Sequence, residues 1–123
     1  PLLRERGAVP ARGTVDNIVP PGEKSGWAVP NALRRRWDLV LGDTRTELAP
    51  LLAKVGTVDL AVHDSDHSVQ AILPEGCEIY EHLRPGGILC VDDIDVSEGF
   101  DRLRRERAWF AGLTVGRLGL LRR

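Results

Sequence analysis

Short apolar runs alternate with segments of helical periodicity along this chain. Brief runs of branched apolar residues bounded by Gly, Pro or Asp are typical of β-strands, and a near-continuous run such as GILCV is typical of a parallel strand covered on both faces. The last apolar stretch contains a central glycine, Gly116, and predicts two paired strands. The predicted strands are residues 13–19, 37–42, 57–63 and 87–92, followed by the pair within residues 113–123.

The segments between these strands predict helices. Thr44 followed by Glu47 fits a capping box, and Ser97 fits a helix N-cap. Pro50 is expected to lie within the first turns of its helix or to bend them, and Pro74 is expected to kink its helix or to mark a restart. Strands that alternate with helices in this way indicate an α/β fold with a doubly wound, mostly parallel sheet. The predicted helices are residues 43–56, 69–83 and 97–110, with a single turn within residues 31–36.

Composition narrows the class of protein. A chain of 123 residues with 42% hydrophobic and 28% charged residues predicts one globular domain at most. The net charge of -1 gives no electrostatic case for a nucleic-acid partner, and no apolar run is long enough to predict a membrane partner. Cys77 and Cys90 form no CxxC motif, which favours a reduced, cytoplasmic setting.

Aspartates follow the predicted parallel strands, at the edge where an open α/β sheet binds its ligands. Asp64 and Asp92 lie about one βαβ unit apart, so on neighbouring strands they would converge, together with Asp93. Three carboxylates share a site only when protons or a cation relieve their repulsion, and oxygen ligands favour Mg²⁺ or a similar hard ion. For any single aspartate, however, a turn or helix cap is the commoner role, so both interpretations stay open.

Two histidines flank these acidic residues in the sequence HDSDH. His63 ends a predicted strand, which favours a packed residue over a metal ligand. His67 stands at a predicted helix start, where either a solvent-facing side chain or a general base fits. A dinuclear metallo-hydrolase motif, HxHxDH, is excluded because Val62 and Asp64 occupy the positions that require histidine.

Three stretches together, VDLAVHDSDHSV, EHLRPGGILCVDDI and LVLGDTRTEL, resemble the C-terminal two-thirds of a class I S-adenosylmethionine-dependent methyltransferase. The resemblance covers residues 13–95 and is nearest to a small bacterial group with an HDSxH strand end and an LRPGG-strand-DD segment. It implies a Rossmann-like sheet, and it makes residues 1–123 a partial methyltransferase domain.

The resemblance implies which residues bind the methyl donor, S-adenosyl-L-methionine. Asp16 matches the acidic residue that binds the ribose hydroxyls. Asp43 matches the residue near the adenine, with Thr44 and Arg45 beside it. Asp64 is expected to border the same cofactor.

The resemblance to cation-dependent O-methyltransferases also implies a metal and a base. Asp64, Asp92 and Asp93 correspond to the residues that hold Mg²⁺ in those enzymes, so a divalent cation is an expected cofactor. His67 takes the position of their general base, a lysine, and histidine titrates near neutral pH. The expected catalytic residues are therefore His67 and Asp64, and the expected reaction is metal-assisted O-methylation of a small-molecule acceptor.

One departure from the family pattern is the glycine-rich loop after the first strand, since no GxG precedes Asp16. The chain also begins at Pro1 and contains no methionine, which predicts a fragment of a longer protein without the first strand of the fold. Such a fragment is expected to be inactive alone. The alternative is a truncated or degenerate, non-catalytic α/β domain; a dehydrogenase lacks support because its glycine fingerprint is missing too.

Overall fold

The computed structural model describes residues 12–16, 24, 26, 29–35 and 37–123. The chain divides into two compact units, Pro1–Val55 and Gly56–Arg123. Each unit has a sheet of its own. Among the described residues, no helix has the length and apolar character needed to cross a membrane.

The sheet of the first unit is a parallel pair of strands, β1 (Arg12–Asp16) and β2 (Trp37–Leu41), and helix α2 (Thr44–Val55) follows it in the chain. In this pair Asp16 is aligned with Leu41. The predicted strand at 13–19 overlaps β1, while its residues 17–19 lie outside the described part of the chain. Leu51 and Leu52 on helix α2 are the buried apolar residues of this unit that the structure describes. The elements are β1 (Arg12–Asp16), α1 (Asn31–Arg34), β2 (Trp37–Leu41) and α2 (Thr44–Val55).

Helix α2 is capped by Asp43, so the predicted capping box of Thr44 and Glu47 is wrong. Thr44 is already the first helical residue. The N–H of Arg45 donates to Asp43 Oδ1 at 2.9 Å. The Asp43 carbonyl accepts the N–H groups of Thr46 and Glu47. Because a carboxylate one residue earlier satisfies the free N–H groups of the first turn, the cap lies one position before the predicted one.

The sheet of the second unit is mixed, with the strand order β3-β4-β6-β5. Strands β3 and β4 are parallel and joined by a helical crossover, whereas β6 is antiparallel to both β4 and β5. The predicted α/β class and the paired strands around Gly116 are thus confirmed. The elements are β3 (Val58–His63), α3 (Val69–His82), β4 (Leu83–Val91), α4 (Gly99–Glu106), β5 (Ala111–Val115) and β6 (Leu118–Arg122).

Helix α4 is shorter than predicted at both ends. It begins at Gly99, whose N–H donates to Ser97 Oγ at 3.1 Å, so Ser97 caps the helix from two residues ahead. It ends at Glu106, and the Trp109 indole N–H then donates to the Leu103 carbonyl at 3.0 Å. The indole N–H therefore occupies a carbonyl of the last turn that would accept a backbone N–H if the helix were longer. The predicted bends at prolines do not break the other helices, which run through Pro50 and Pro74.

Helices α3 and α4 pack together and cover one face of the second sheet. The buried residues on this side include Ile72, Leu89, Val91, Leu103 and Leu121, each at most 1% exposed. The opposite face is open in the described residues, although the apolar β4 run predicted cover on both faces. Both helices lie on the same side, so side chains that alternate outward along the strands remain exposed. These exposed residues are Leu60, Val62, Ile88, Leu113 and Val115.

The close approach of α3 and α4 depends on Gly76. A methyl group added there would lie 2.3 Å from Leu103 Cδ2, which belongs to a fully buried side chain. Gly76→Ala should therefore lower the free energy of unfolding by about 1–2 kcal/mol in urea denaturation, because overpacking outweighs the gain in helix propensity. In a Leu103→Ala background the same change should be neutral or stabilising. An equal loss of stability in both backgrounds would show that the contact is not the cause.

Candidate functional site

The pairing of β3 with β4 brings Asp64 and Asp92 to one edge of the second sheet. His63 is aligned with Val91 in the parallel register, and the Asp92 N–H donates to the His63 carbonyl at 3.0 Å. Asp64 and Asp92 are the next residues along each strand, so they leave the sheet side by side at its carboxyl end. The predicted neighbourhood of these two strands is confirmed.

The loop between β3 and α3 follows His63 and contains the rest of the HDSDH sequence. Two hydrogen bonds fix its position. The Ser68 N–H donates to Asp66 Oδ1 at 2.9 Å, which closes a turn before the helix. Ser97 Oγ donates to the His67 carbonyl at 2.6 Å, which ties this loop to the loop after β4. The two loops that follow the parallel strands therefore form one connected edge.

His67 is turned inward, so the predicted solvent-facing alternative is wrong. Its side chain is only 20% exposed, and its Nε2 lies 3.6 Å from Asp64 Oδ1. That distance is too long for a hydrogen bond, and Nε2 is a buried atom without a hydrogen-bond partner among the described residues. An imidazole nitrogen beside a carboxylate, with a free hydrogen-bonding position, is suited to accept a proton.

A shallow surface cavity of about 590 Å³, largely open to solvent, lies beside His67. Val96, which is 59% exposed, provides an apolar wall next to the polar loop. The lining residues are Asp66, His67, Ser68, Val69, Gln70, Val96 and Ser97.

Arg117 neutralises the acidic segment after β4. Its guanidinium lies 3.0 Å from Asp93 Oδ1 and donates to Asp95 Oδ1 at 2.8 Å, while its carbonyl accepts the Ile94 N–H at 3.0 Å. The hydrogen bond with Asp95 raises the pKa of Arg117, and the nearby charges of Asp93, Asp95 and Asp92 add to this rise. The cation of this acidic cluster is thus a side chain of the hairpin between β5 and β6.

The three candidate metal ligands therefore differ in how accessible they are to a metal ion. Asp64 and Asp92 are together at the strand edge, whereas Asp93 has a positive φ of 49° and is engaged by Arg117. Within the part of the chain that the structure describes, no group of three or more His, Cys, Asp or Glu side chains is arranged to hold a metal ion. Metal binding by all three aspartates stays a prediction that requires the Arg117 ion pair to open.

The candidate donor-binding residues of the first unit share one edge of its parallel pair. The register aligns Asp16 with Leu41, the last residue of β2, and Asp43 follows in the next turn. Hydrogen bonds from the Arg45 side chain and its backbone N–H lower the pKa of the Asp43 carboxyl to about 2. Asp43 is therefore a carboxylate across the neutral pH range, and Thr44 follows it as the first helical residue.

A buried polar cluster below the HDSDH loop was not predicted from the sequence. His63 Nε2 lies 2.9 Å from Glu75 Oε2, and their side chains are 3% and 5% exposed. Ser65 Oγ donates to the same Glu75 oxygen at 2.9 Å. The prediction that His63 is a packed residue is confirmed, but Glu75 was missed because a helical glutamate is typical of a solvated surface. The available signal was its helical spacing from Ile72 and Ile79, both buried.

A family of methyltransferase domains has a sequence model that matches residues 3–94, about three-quarters of this chain. The chain belongs to this family. The resemblance to methyltransferases is thereby confirmed at the level of the family, while its cation-dependent subgroup stays a prediction. No curated protein matches the sequence.

Solved structures share the fold of this methyltransferase domain. MycE methyltransferase from the mycinamycin biosynthetic pathway, in complex with Mg and SAH, has a TM-score of 0.66 and 15% sequence identity, covering 90% of this chain and 36% of that chain. MycE in complex with Mg, SAH and mycinamycin VI has a TM-score of 0.66 and 14% identity, with the same coverage. The methyltransferase domain thus spans little more than a third of the MycE chain. At this level of identity the likeness shows the Rossmann-like fold alone.

Proposed function

We propose that the intact protein transfers a methyl group from S-adenosyl-L-methionine to an oxygen atom of a small-molecule acceptor, assisted by a divalent cation. Membership of the methyltransferase-domain family supports the reaction class. The MycE structures, which contain Mg, SAH and in one case mycinamycin VI, support these ligand classes by analogy of fold. The observation that carries the proposal is His67, a residue that lines the cavity and whose unpartnered Nε2 lies 3.6 Å from Asp64 Oδ1.

The methyl donor fits the edge of the parallel pair in the first unit. Ligands of open α/β sheets bind at the carboxyl ends of strands, where Asp16 and Asp43 are located. The Asp43 carboxylate stays ionised at neutral pH and can accept N–H or O–H groups of a nucleoside in addition to those of Arg45. Thr44 contributes the first helical turn at this edge.

His67 is the proposed proton acceptor. The donor supplies an activated methyl group whose bond to sulfur breaks as the bond to the acceptor oxygen forms. The acceptor hydroxyl then gives its proton to His67 Nε2, and the Asp64 carboxylate, 3.6 Å away, stabilises the resulting imidazolium. The cavity beside His67 holds the acceptor and fixes the angle of attack, which is the main source of rate enhancement in such a transfer.

Asp64 and Asp92 are the proposed ligands of a divalent cation, because both provide carboxylate oxygens at the same strand edge. Asp93 is the third proposed ligand when its ion pair with Arg117 opens. A cation held there would supply positive charge that lowers the pKa of an acceptor hydroxyl. The chain's own contribution is to place the carboxylates and to keep His67 next to the same hydroxyl.

A non-catalytic binding domain is the second candidate. The observation that favours it is Arg117, which supplies a fixed positive charge to Asp93 and Asp95 where the enzyme would need a metal. A domain stabilised in this way has no requirement for a cation. The two candidates differ in their response to metal and in whether methyl transfer occurs at all.

The general-base role is tested by His67→Gln in the intact protein. The substitution keeps a polar side chain of similar reach but removes the titrating nitrogen. We expect kcat to fall by about 10²–10⁴-fold and the acidic limb of the pH profile of kcat/KM to disappear. His82→Gln, at the far end of α3, is the matched control and should leave the profile unchanged. An acidic limb that survives in His67→Gln would remove His67 as the base.

The proposed metal site is tested by two substitutions that are expected to have opposite effects on metal binding. Asp92→Asn should abolish the stimulation of methyl transfer by Mg²⁺, because it removes a proposed ligand. Arg117→Ala should strengthen Mn²⁺ binding several-fold in calorimetry, because Arg117 competes for Asp93 at 3.0 Å. Arg105→Ala on the exposed side of α4 is the control for lost charge. Full activity of the unmodified protein in EDTA would contradict metal assistance and favour a metal-free domain.

A further inference from the structure

We propose that Glu75 is a positioning residue that holds Asp64 and His67 at the reaction edge through its contacts with the residues on either side of Asp64. The inference rests on the proposed function of that edge and deepens it. Glu75 lies on α3, below the loop, and its side chain is 5% exposed. It has no route to an acceptor, so its effect must pass through the residues that it binds.

The arrangement of the cluster fixes the direction of Asp64. Oε2 of Glu75 lies 2.9 Å from His63 Nε2 and accepts a hydrogen bond from Ser65 Oγ at 2.9 Å. His63 and Ser65 are the immediate neighbours of Asp64. When both neighbours point inward to one helix oxygen, the residue between them is directed outward, and the Asp64 side chain is indeed 66% exposed.

Glu75 and Ser97 hold the loop from opposite sides. Glu75 binds residues 63 and 65 from inside the domain, whereas Ser97 Oγ binds the His67 carbonyl at 2.6 Å from the neighbouring loop. The inner contact thus sets the start of the loop and the outer contact sets its end. The 3.6 Å separation of His67 Nε2 from Asp64 Oδ1 depends on both.

The buried carboxyl group of Glu75 is satisfied within the cluster. A buried carboxyl group is costly unless polar groups reach it, and here the Ser65 hydroxyl and the His63 ring nitrogen Nε2 both do. His63 Nδ1 is buried without a hydrogen-bond partner among the described residues.

The cluster is not a nucleophilic triad, although it contains Ser, His and an acid. In such a triad the acid binds one ring nitrogen and the serine binds the other. Here Glu75 and Ser65 both lie near Nε2 of His63, at 2.9 and 3.3 Å, and the Ser65 proton is directed to Glu75. Ser65 therefore has no base that could activate it, and the role of the cluster is to orient the loop.

The test uses Ser65→Ala and Glu75→Gln in the intact protein, since the first removes one contact of Glu75 and the second alters both, with little change in side-chain volume. We expect kcat to fall by about 10–100-fold with unchanged SAH affinity in calorimetry, because displacement of catalytic groups by about 1 Å has effects of that size. Ser65→Thr, which keeps the hydroxyl, should retain activity. Glu78→Gln, half-buried on the same helix, is the matched control and should behave as the unmodified protein.

A second readout does not depend on methyl transfer. NMR order parameters of the amides of residues 64–68 should fall in Ser65→Ala and Glu75→Gln, while those of β4 stay unchanged. If the unmodified protein transfers no methyl group, the proposed function fails but this readout still decides the positioning role. Unchanged order in the loop, or an equal loss of order throughout the sheet, would overturn the inference and leave Glu75 as a general stabilising residue.

Discussion

The parallel register of β3 against β4 is the constraint on which the candidate site depends. Alignment of His63 with Val91 sends the next residue of each strand, Asp64 and Asp92, out of the sheet at the same edge. Because side chains alternate along a strand, a shift of one residue would expose His63 and bury Asp64. The apolar cover provided by α3 and α4 on one face fixes this register, so the packing of the core determines the chemistry of the edge.

The carboxylates at this edge are stabilised in different ways in the interior and at the surface. The carboxylate of Glu75 is buried and satisfied by a hydroxyl and an imidazole, while the carboxylates of Asp93 and Asp95 are satisfied by Arg117. Asp64 is left exposed beside His67. The edge therefore keeps an exposed carboxylate next to a partly buried imidazole side chain, the pair to which we assign proton transfer from a bound hydroxyl.

Much of the fold could be predicted from hydrophobic periodicity, because buried residues recur at every second position in β4 and at helical spacing in α3. The contacts of polar side chains could not. Whether Asp43 or Thr44 caps α2 depends on one residue of register, and the pairing of Asp93 with Arg117 joins segments that only the folded hairpin brings together. Glu75 was hidden because its partners lie in the preceding loop, outside the periodic pattern of its own helix. By contrast, the convergence of Asp64 and Asp92 could be predicted from their spacing of about one βαβ unit, whereas the proposed role of His67 came from family resemblance.

SAH binding followed by NMR is the most direct test of the proposal that this methyltransferase domain carries out its reaction at the end of β3 and β4. The intact, ¹⁵N-labelled protein is titrated with SAH and then with Mg²⁺. We predict saturable binding with a Kd below about 1 mM, amide shifts first at Asp43–Arg45 and in the loop of residues 64–68, and further shifts at Asp92 on addition of Mg²⁺. Absence of any shift at millimolar SAH, or shifts confined to regions away from both strand edges, would contradict the account.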